Sequence, residues 1–276
     1  MSAPKTNWVI NEPFRSLWAG RDPFVAVEEL EGEVFRELEA RRTLRTVVAG
    51  RPFFVKIHRG VGWLEILKNL FSGRLPVLGA GNEWLAIHRL ASLGVDTMQG
   101  VAFGQRGSNP ATQHSFIVTE ELAPTISLED YCRDWKTKPP AVAFKRALIK
   151  RVADMARRMH CGGVNHRDFY ICHFLLHLVP EPTVDHFKLS LIDLHRAQIR
   201  GQTPRRWRDK DLSSLYFSAL NIGLTQRDGM RFLRTYFDAP LREILKSEAL
   251  LLDHLGREAS RLQERYLRKY AKSAEQ

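Results

Sequence analysis

The sequence predicts an α+β protein of two lobes: a small antiparallel β-sheet lobe with one main helix over residues 1–120, and a larger, mainly helical lobe over 121–276. Three observations carry that expectation. Strand patterns bounded by turn residues crowd the first half of the chain, at 34–38, 43–48, 53–58, 101–104 and 115–119. In the second half, Phe144, Leu148, Val152, Met155 and Met159 recur at helical spacing. A length of 276 residues is long for one core and comfortable for two.

Composition narrows the class. The apolar share of 44% and charged share of 26% are those of a globular protein. No signal-peptide pattern opens the chain, and the longest stretch without Asp, Glu, Lys or Arg, residues 212–226, has 15 residues, short of the roughly 20 that span a bilayer. The sequence therefore predicts no membrane crossing. Cys132, Cys161 and Cys172 lack metal-type spacing, so free thiols in a reducing compartment are expected. Cys172 reads as an ordinary buried thiol in preference to a nucleophile. The net charge of +11 calls for an acidic partner: nucleic acid, an anionic membrane surface, a phosphorylated substrate or an acidic protein. Nucleic acid is not expected, because the basic residues are dispersed and form no reader motif.

In chain order, residues 1–13 read as a loose arm with Trp8 and Ile10 tucking against the body. Three strands follow at 34–38, 43–48 and 53–58, the last two joined through Gly50-Arg51-Pro52. Lys56 lies inside the third. It is either an edge-strand charge reaching water or a lysine holding the α- and β-phosphates of ATP, and the downstream loop favours the second. A helix over 82–90 carries Glu83 near its start, where it can reach Lys56 or simply favour the helix dipole. The turn before the second strand has no glycine. A phosphate cover there would use Arg41, Arg42 and Thr43 or backbone amides, and a solvated basic turn is the equal alternative. Residues 60–81 form an amphipathic segment suited to packing first, then to a membrane surface or a substrate lip. Glu120-Glu121-Leu122-Ala123-Pro124 leaves the sheet where a hinge would let adenine bond to the backbone, which makes Glu120 a nucleotide-site candidate. Ser127 then opens a helix with a capping start.

The decisive stretch is Asn165-His166-Arg167-Asp168-Phe169-Tyr170-Ile171-Cys172-His173. A buried helix stopped by Gly162-Gly163 precedes it, and a hairpin of residues 174–176 and 189–192 leads to Asp193. His-Arg-Asp, a metal-capable side chain five positions on and a strand ending in Asp is the order in which a phosphoryl-transfer site presents its base and metal ligand. Asp168 suits the base, and Asp193 with His173 the metal, Mg2+ or Mn2+. Residues 196–208 read as basic and turn-rich, with Arg196, Arg200, Arg205 and Arg206 suited to an anionic acceptor. Helices are expected over 211–221, 225–237 and 247–269.

These residues carry a resemblance. The loop 165–176, Ile192-Asp193-Leu194-His195-Arg196-Ala197-Gln198 and Pro204-Arg205-Arg206-Trp207-Arg208-Asp209-Lys210-Asp211-Leu212 resemble the lipopolysaccharide core heptose(I) kinase family of Gram-negative bacteria. So do Phe35-Arg36-Glu37-Leu38, Pro76-Val77-Leu78-Gly79-Ala80 and Pro124-Thr125-Ile126-Ser127-Leu128-Glu129-Asp130-Tyr131-Cys132. The resemblance implies a bilobal protein-kinase-like fold with a nucleotide-binding lobe (1–120) and a catalytic and substrate-binding lobe (121–276). It implies transfer of the ATP γ-phosphate to the first heptose of the inner core by a cytoplasmic protein peripheral to the inner membrane. Asp168 would be the base, with Lys56, Glu83 and Asp193 as nucleotide and metal residues. His173 stands where kinases place Asn, Leu194-His195 replaces Phe-Gly, and no Ala-Pro-Glu follows. A protein kinase or a pseudokinase scaffold is the alternative.

Overall fold

The computed structural model describes residues 6–38, 40–60, 62–63, 79–109 and 111–274. The amphipathic segment expected over 60–81 falls largely outside them, as do Glu39 and residues 76–78. The chain forms two compact units, one of Met1–His88, Met98–Leu122 and Leu194–Arg196, the other of Arg89–Thr97, Ala123–Asp193 and Ala197–Gln276.

The first unit is a six-stranded antiparallel sheet. It begins with β1 (Thr6–Ile10), which pairs with a later strand from Thr6↔Arg106 to Ile10↔Ala102. The loose arm expected there is therefore a strand: its β-branched and aromatic residues are strand formers, and its backbone saturates an edge that would otherwise lie open. Two short helices unforeseen in the sequence follow, α1 (Phe14–Leu17) and α2 (Pro23–Glu28). Asp22 caps α2 by accepting from the Phe24 N–H at 2.9 Å, and Pro23 takes the first helical position, where no N–H is needed.

Next come β2 (Glu33–Leu38), β3 (Arg41–Val48) and β4 (Arg51–His58), then α3 (Gly81–Ser92), β5 (Gly100–Arg106) and β6 (His114–Glu120), giving the order β1-β5-β6-β4-β3-β2. Ala49 and Gly50, both at positive φ, make the two-residue link between β3 and β4. That conformation matches strand twist and favours glycine. Phe14, Trp18, Phe24 and Val27 pack on Phe53, Val55, Ile57, Phe116 and Val118 in one buried cluster, which fixes β4 from one face. On α3, Trp84 stacks on Phe103 of β5 at 5.3 Å, and a Cβ at Gly100 would come within 2.6 Å of that indole.

The second unit starts with β7 (Thr125–Ser127) and α4 (Leu128–Tyr131), whose cap is Ser127, accepting from the Asp130 N–H at 3.0 Å. The central helix α5 (Val142–Cys161) buries Phe144, Leu148, Val152, Met155 and Met159, as the periodicity predicts, and His160 with them. Then follow β8 (Val164–Asn165), a single 3-10 turn at Ile171–His173, β9 (Phe174–His177), β10 (Leu189–Leu191) and β11 (Gln198–Ile199). β9 pairs with β10 and β7, and β8 with β11.

The remaining helices are α6 (Arg205–Ala219), α7 (Gln226–Phe237), α8 (Leu241–Ser247) and α9 (Ala249–Ala274). α6 opens directly after Pro204, so Arg205, Arg206 and Arg208 are helical, not part of a turn-rich loop. α8 is an additional helix after Pro240. Thr225 and Asp228 close the capping box that starts α7. No helix among the described residues is long and apolar enough to cross a membrane.

Candidate active site

In the first unit, Lys56 sits on β4, an interior strand facing Thr43 of β3 and Ile117 of β6. An edge-strand charge is thereby excluded. Its Nζ donates to Glu83 Oε1 at 2.7 Å, and the Glu83 side chain is 1% exposed. The second Glu83 oxygen is buried with no hydrogen-bond partner, so this carboxylate depends on the lysine for compensation. Next along the strand, His58 is buried with its Nε2 unpaired. Burial first, and then the charges of Arg41, Lys56 and His195, push its pKa down to about 3.

Arg41, Arg42 and Thr43 open β3 in register with His58, Ile57 and Lys56. Arg42 is held within the unit, donating to the Glu28 carbonyl at 2.8 Å and pairing with Glu37 at 3.1 Å. The Glu120 carboxylate pairs with Arg51.

The second unit holds the His-Arg-Asp loop by its backbone. Asp211 of α6, fully buried, accepts from the His166 N–H at 2.6 Å and the Arg167 N–H at 2.8 Å. Its Oδ2 also lies 3.3 Å from His160 Nε2, and His160 Nδ1 lies 2.7 Å from the Tyr236 hydroxyl. A carboxylate oxygen can only accept, so the tautomer is the one with Nε2–H donating to Asp211, and Nδ1 then accepts from the Tyr236 hydroxyl. The clamp holds Arg167 at φ +76°, an unfavourable conformation that persists only where the surroundings over-determine it. Gly163 allows the same tight path: at φ +81°, a Cβ there would fall 1.9 Å from the Arg200 carbonyl oxygen.

His173 then fixes the other end of the loop. Its Nδ1–H donates to the Asp168 carbonyl at 2.7 Å, which leaves Nε2 bearing a lone pair in the neutral ring. That nitrogen faces Asp193 Oδ2 at 3.4 Å. Two acceptors pointed at one another need a proton or a metal ion between them, so the pair fits a cation. Asp193 itself stands at φ +64°. His166 stacks on His173 at 5.6 Å and donates from Nε2 to the Ile192 carbonyl at 2.9 Å; burial lowers its pKa and keeps it neutral.

Burial pushes the Cys132 thiol up to about 12 and the Cys172 thiol up to about 11. Neither is a thiolate at neutral pH; Cys132 is a buried thiol, whereas Cys172, expected to be buried, is only half-buried. Of the acceptor candidates, Arg200, Arg205 and Arg206 belong to the second unit and Arg196 to the first. In the sequence Asp211 stands out only as a helix start and as part of the resembling segment 204–212; the available signal for its role was a charged residue opening an apolar helix. Tyr236 gave none.

Kinase-like loop chemistry on one unit and a buried lysine–glutamate pair on the other define a phosphotransferase of the protein-kinase-like fold. The model of the lipopolysaccharide kinase (Kdo/WaaP) family matches residues 25–236. The chain is 64% identical over 257 residues to the lipopolysaccharide core heptose(I) kinase WaaP of Pseudomonas aeruginosa, covering 93% of this chain and 96% of that one. It is 62% identical over 260 residues to the protein of the same name from Escherichia coli, covering 94% and 98%. Among solved structures, one titled WaaP in complex with acyl carrier protein superposes with a TM-score of 0.84 at 59% identity, over 93% of this chain and 99% of that one. The chain belongs to the lipopolysaccharide kinase (Kdo/WaaP) family. Membership carries kinase activity and the use of ATP.

Proposed function

We propose that the protein transfers the γ-phosphate of ATP to the first heptose of the lipopolysaccharide inner core. The observation that carries this is near full-length identity above 60% to two heptose(I) kinases, together with a loop geometry suited to the chemistry. Residues 1–120 form the nucleotide-binding part. There Lys56, aligned by Glu83, grips the α- and β-phosphates, Arg41, Arg42 and Thr43 cover the phosphates, and the chain at Glu120 receives adenine. Residues 121–276 supply catalysis and the acceptor site. Asp168 orients the heptose hydroxyl and takes its proton as the oxygen attacks the γ-phosphorus, and ADP leaves with the electrons of the broken bridge bond. Asp193 and His173 would hold magnesium, or manganese, which neutralises the phosphate charge when bound. Magnesium commonly takes one or two carboxylates beside phosphate oxygens and water, which Asp193 can supply, while the His173 imidazole is better suited to manganese.

Arg196, Arg200, Arg205 and Arg206 are candidates for the acceptor's anionic groups. A net charge of +11 suits work at the inner face of the inner membrane as a peripheral cytoplasmic protein, and suits an acidic partner such as the acyl carrier protein named with the similar structure. The direct test offers labelled ATP with heptose-containing lipopolysaccharide lacking core phosphate, beside a peptide library. Label in the glycolipid alone supports the proposal. Label in peptides with none in glycolipid replaces it with a protein kinase, and label in neither with a scaffold.

A further inference from the structure

Four cations converge on one indole in the second unit. The guanidinium carbons of Arg206, Arg167 and Arg200 lie 4.5, 5.7 and 6.0 Å from the Trp207 ring centroid, and Lys210 Nζ lies at 5.4 Å. Significant cation–π contacts occur roughly once per 70–80 residues, so four on one ring is a concentration of like charge, not background. The helix bearing Trp207 adds to the repulsion. The first turn of α6 has no acidic residue and no side-chain cap, so its cations face the positive end of the dipole.

Two neighbouring carboxylates are taken up by Arg205 and Arg208. Glu248 takes Arg208 at 3.0 Å and reaches Arg205 at 3.5 Å, and Asp209 also takes Arg208, at 2.8 Å. Arg205 and Arg208 are thus tied to the junction of α8 and α9. Among the described residues, Arg200 donates to two neutral acceptors, Asn165 Oδ1 and Gln198 Oε1, both at 2.6 Å, and pairs with no carboxylate. Those bonds hold the guanidinium in place without cancelling its charge. Asn165 is itself buried with its Nδ2 unpaired. Arg206, exposed, has no carboxylate partner among the described residues.

We propose that Arg167, Arg200, Arg206 and Lys210 around Trp207 form a subsite for an oxyanion of the acceptor, a sugar carboxylate or a phosphate, on a group other than the one phosphorylated. The subsite rests on the glycolipid-kinase reading above and revises its cation set: Arg200 and Arg206 stay, Arg196, which belongs to the first unit, and Arg205 give way to Arg167 and Lys210, and Trp207 supplies an apolar plate for a sugar ring. Arg167 immediately precedes Asp168. An anion gripped there anchors the acceptor one residue from the proposed base, so the bound hydroxyl is presented without help from the nucleotide site.

The test is steady-state kinetics of wild type, Arg206→Gln, Trp207→Leu and the double variant Arg206→Gln/Lys210→Gln, with Arg257→Gln as an exposed control on α9. Three acceptors are compared: lipopolysaccharide lacking core phosphate, the same with its lipid phosphates removed, and the same with its sugar carboxylates reduced. Wild-type turnover on the first tests the kinase reading, and its absence removes the subsite as well. Given turnover, Arg206→Gln is expected to raise the acceptor KM about tenfold and the double variant further, the order of one charge-assisted contact each. The ATP KM and the kcat at saturating acceptor stay within twofold. The acceptor whose modification costs wild type tenfold but costs Arg206→Gln nothing more identifies the anion. An acceptor KM unchanged in Arg206→Gln and in the double variant, an equal rise for ATP, or indifference of wild type to both modifications overturns the proposal.

Discussion

Substituting Asp211 by Asn exchanges one carboxylate oxygen for an NH2 group and tests whether a buried carboxylate holds the His-Arg-Asp loop. The carboxylate accepts from two main-chain N–H groups at 2.6 and 2.8 Å and from His160 at 3.3 Å, with the side chain fully buried. Asn keeps one oxygen and turns an NH2 group toward donors. One charge-assisted hydrogen bond, about 1.5–3 kcal/mol, is lost, and the stranded N–H adds about 1–3 kcal/mol. A total near 3–5 kcal/mol is a large share of a typical stability of about 5–15 kcal/mol. The released loop also moves Asp168, and a displacement of about 1 Å costs on the order of 100-fold in rate. Urea unfolding followed by circular dichroism gives the first quantity and kcat of the folded variant the second. Stability within about 1 kcal/mol of wild type with kcat within about threefold would refute the clamp.

Further outcomes follow from the same geometry. Lys56→Met strands a Glu83 side chain that is 1% exposed and is expected to cost about 3–5 kcal/mol; Lys56→Met/Glu83→Leu restores much of the stability but not ATP affinity by calorimetry, and recovered affinity would contradict the phosphate role. His58 has a folded pKa of about 3 against an ordinary 6.5, so the unfolded chain binds the proton first and stability falls as pH drops below about 6.5. Between pH 7.5 and 5.5 the loss from this group is about 1.4 kcal/mol, and His58→Phe should flatten that part of the pH–stability curve; an unchanged slope would show that His58 does not stay neutral. His173→Asn exchanges a nitrogen for an oxygen ligand opposite Asp193, so the preference for magnesium over manganese should rise; an unchanged ratio leaves His173 only its bond to the Asp168 carbonyl.

Local signals made much of this chain legible. The strands around Lys56 announced themselves by β-branched and aromatic runs, and α5 by its apolar spacing. The expected approach of Glu83 to Lys56 is present as a 2.7 Å ion pair. What escaped depends on partners far away in sequence. β1 is a strand because Ile10 and its neighbours meet Ala102 and the rest of β5, and no pattern within residues 6–10 specifies that pairing. The start of α6 was obscured by its arginines, which read as solvated loop until a ring and Glu248 collect them. Asp211 closes its bonds across 44 and 45 residues, and a buried carboxylate is invisible until its N–H donors are in place.

Heptose kinase activity with Asp168 as base is tested most directly by transfer of label from γ-labelled ATP to heptose-containing lipopolysaccharide lacking core phosphate, by wild type and by Asp168→Ala shown to be folded by circular dichroism. Wild type is expected to place phosphate on the first heptose, located by mass spectrometry of the released core, and Asp168→Ala to lose at least about 100-fold, the usual scale for a missing general base. Phosphate on any other sugar, or an Asp168→Ala rate above about a tenth of wild type, would contradict that assignment.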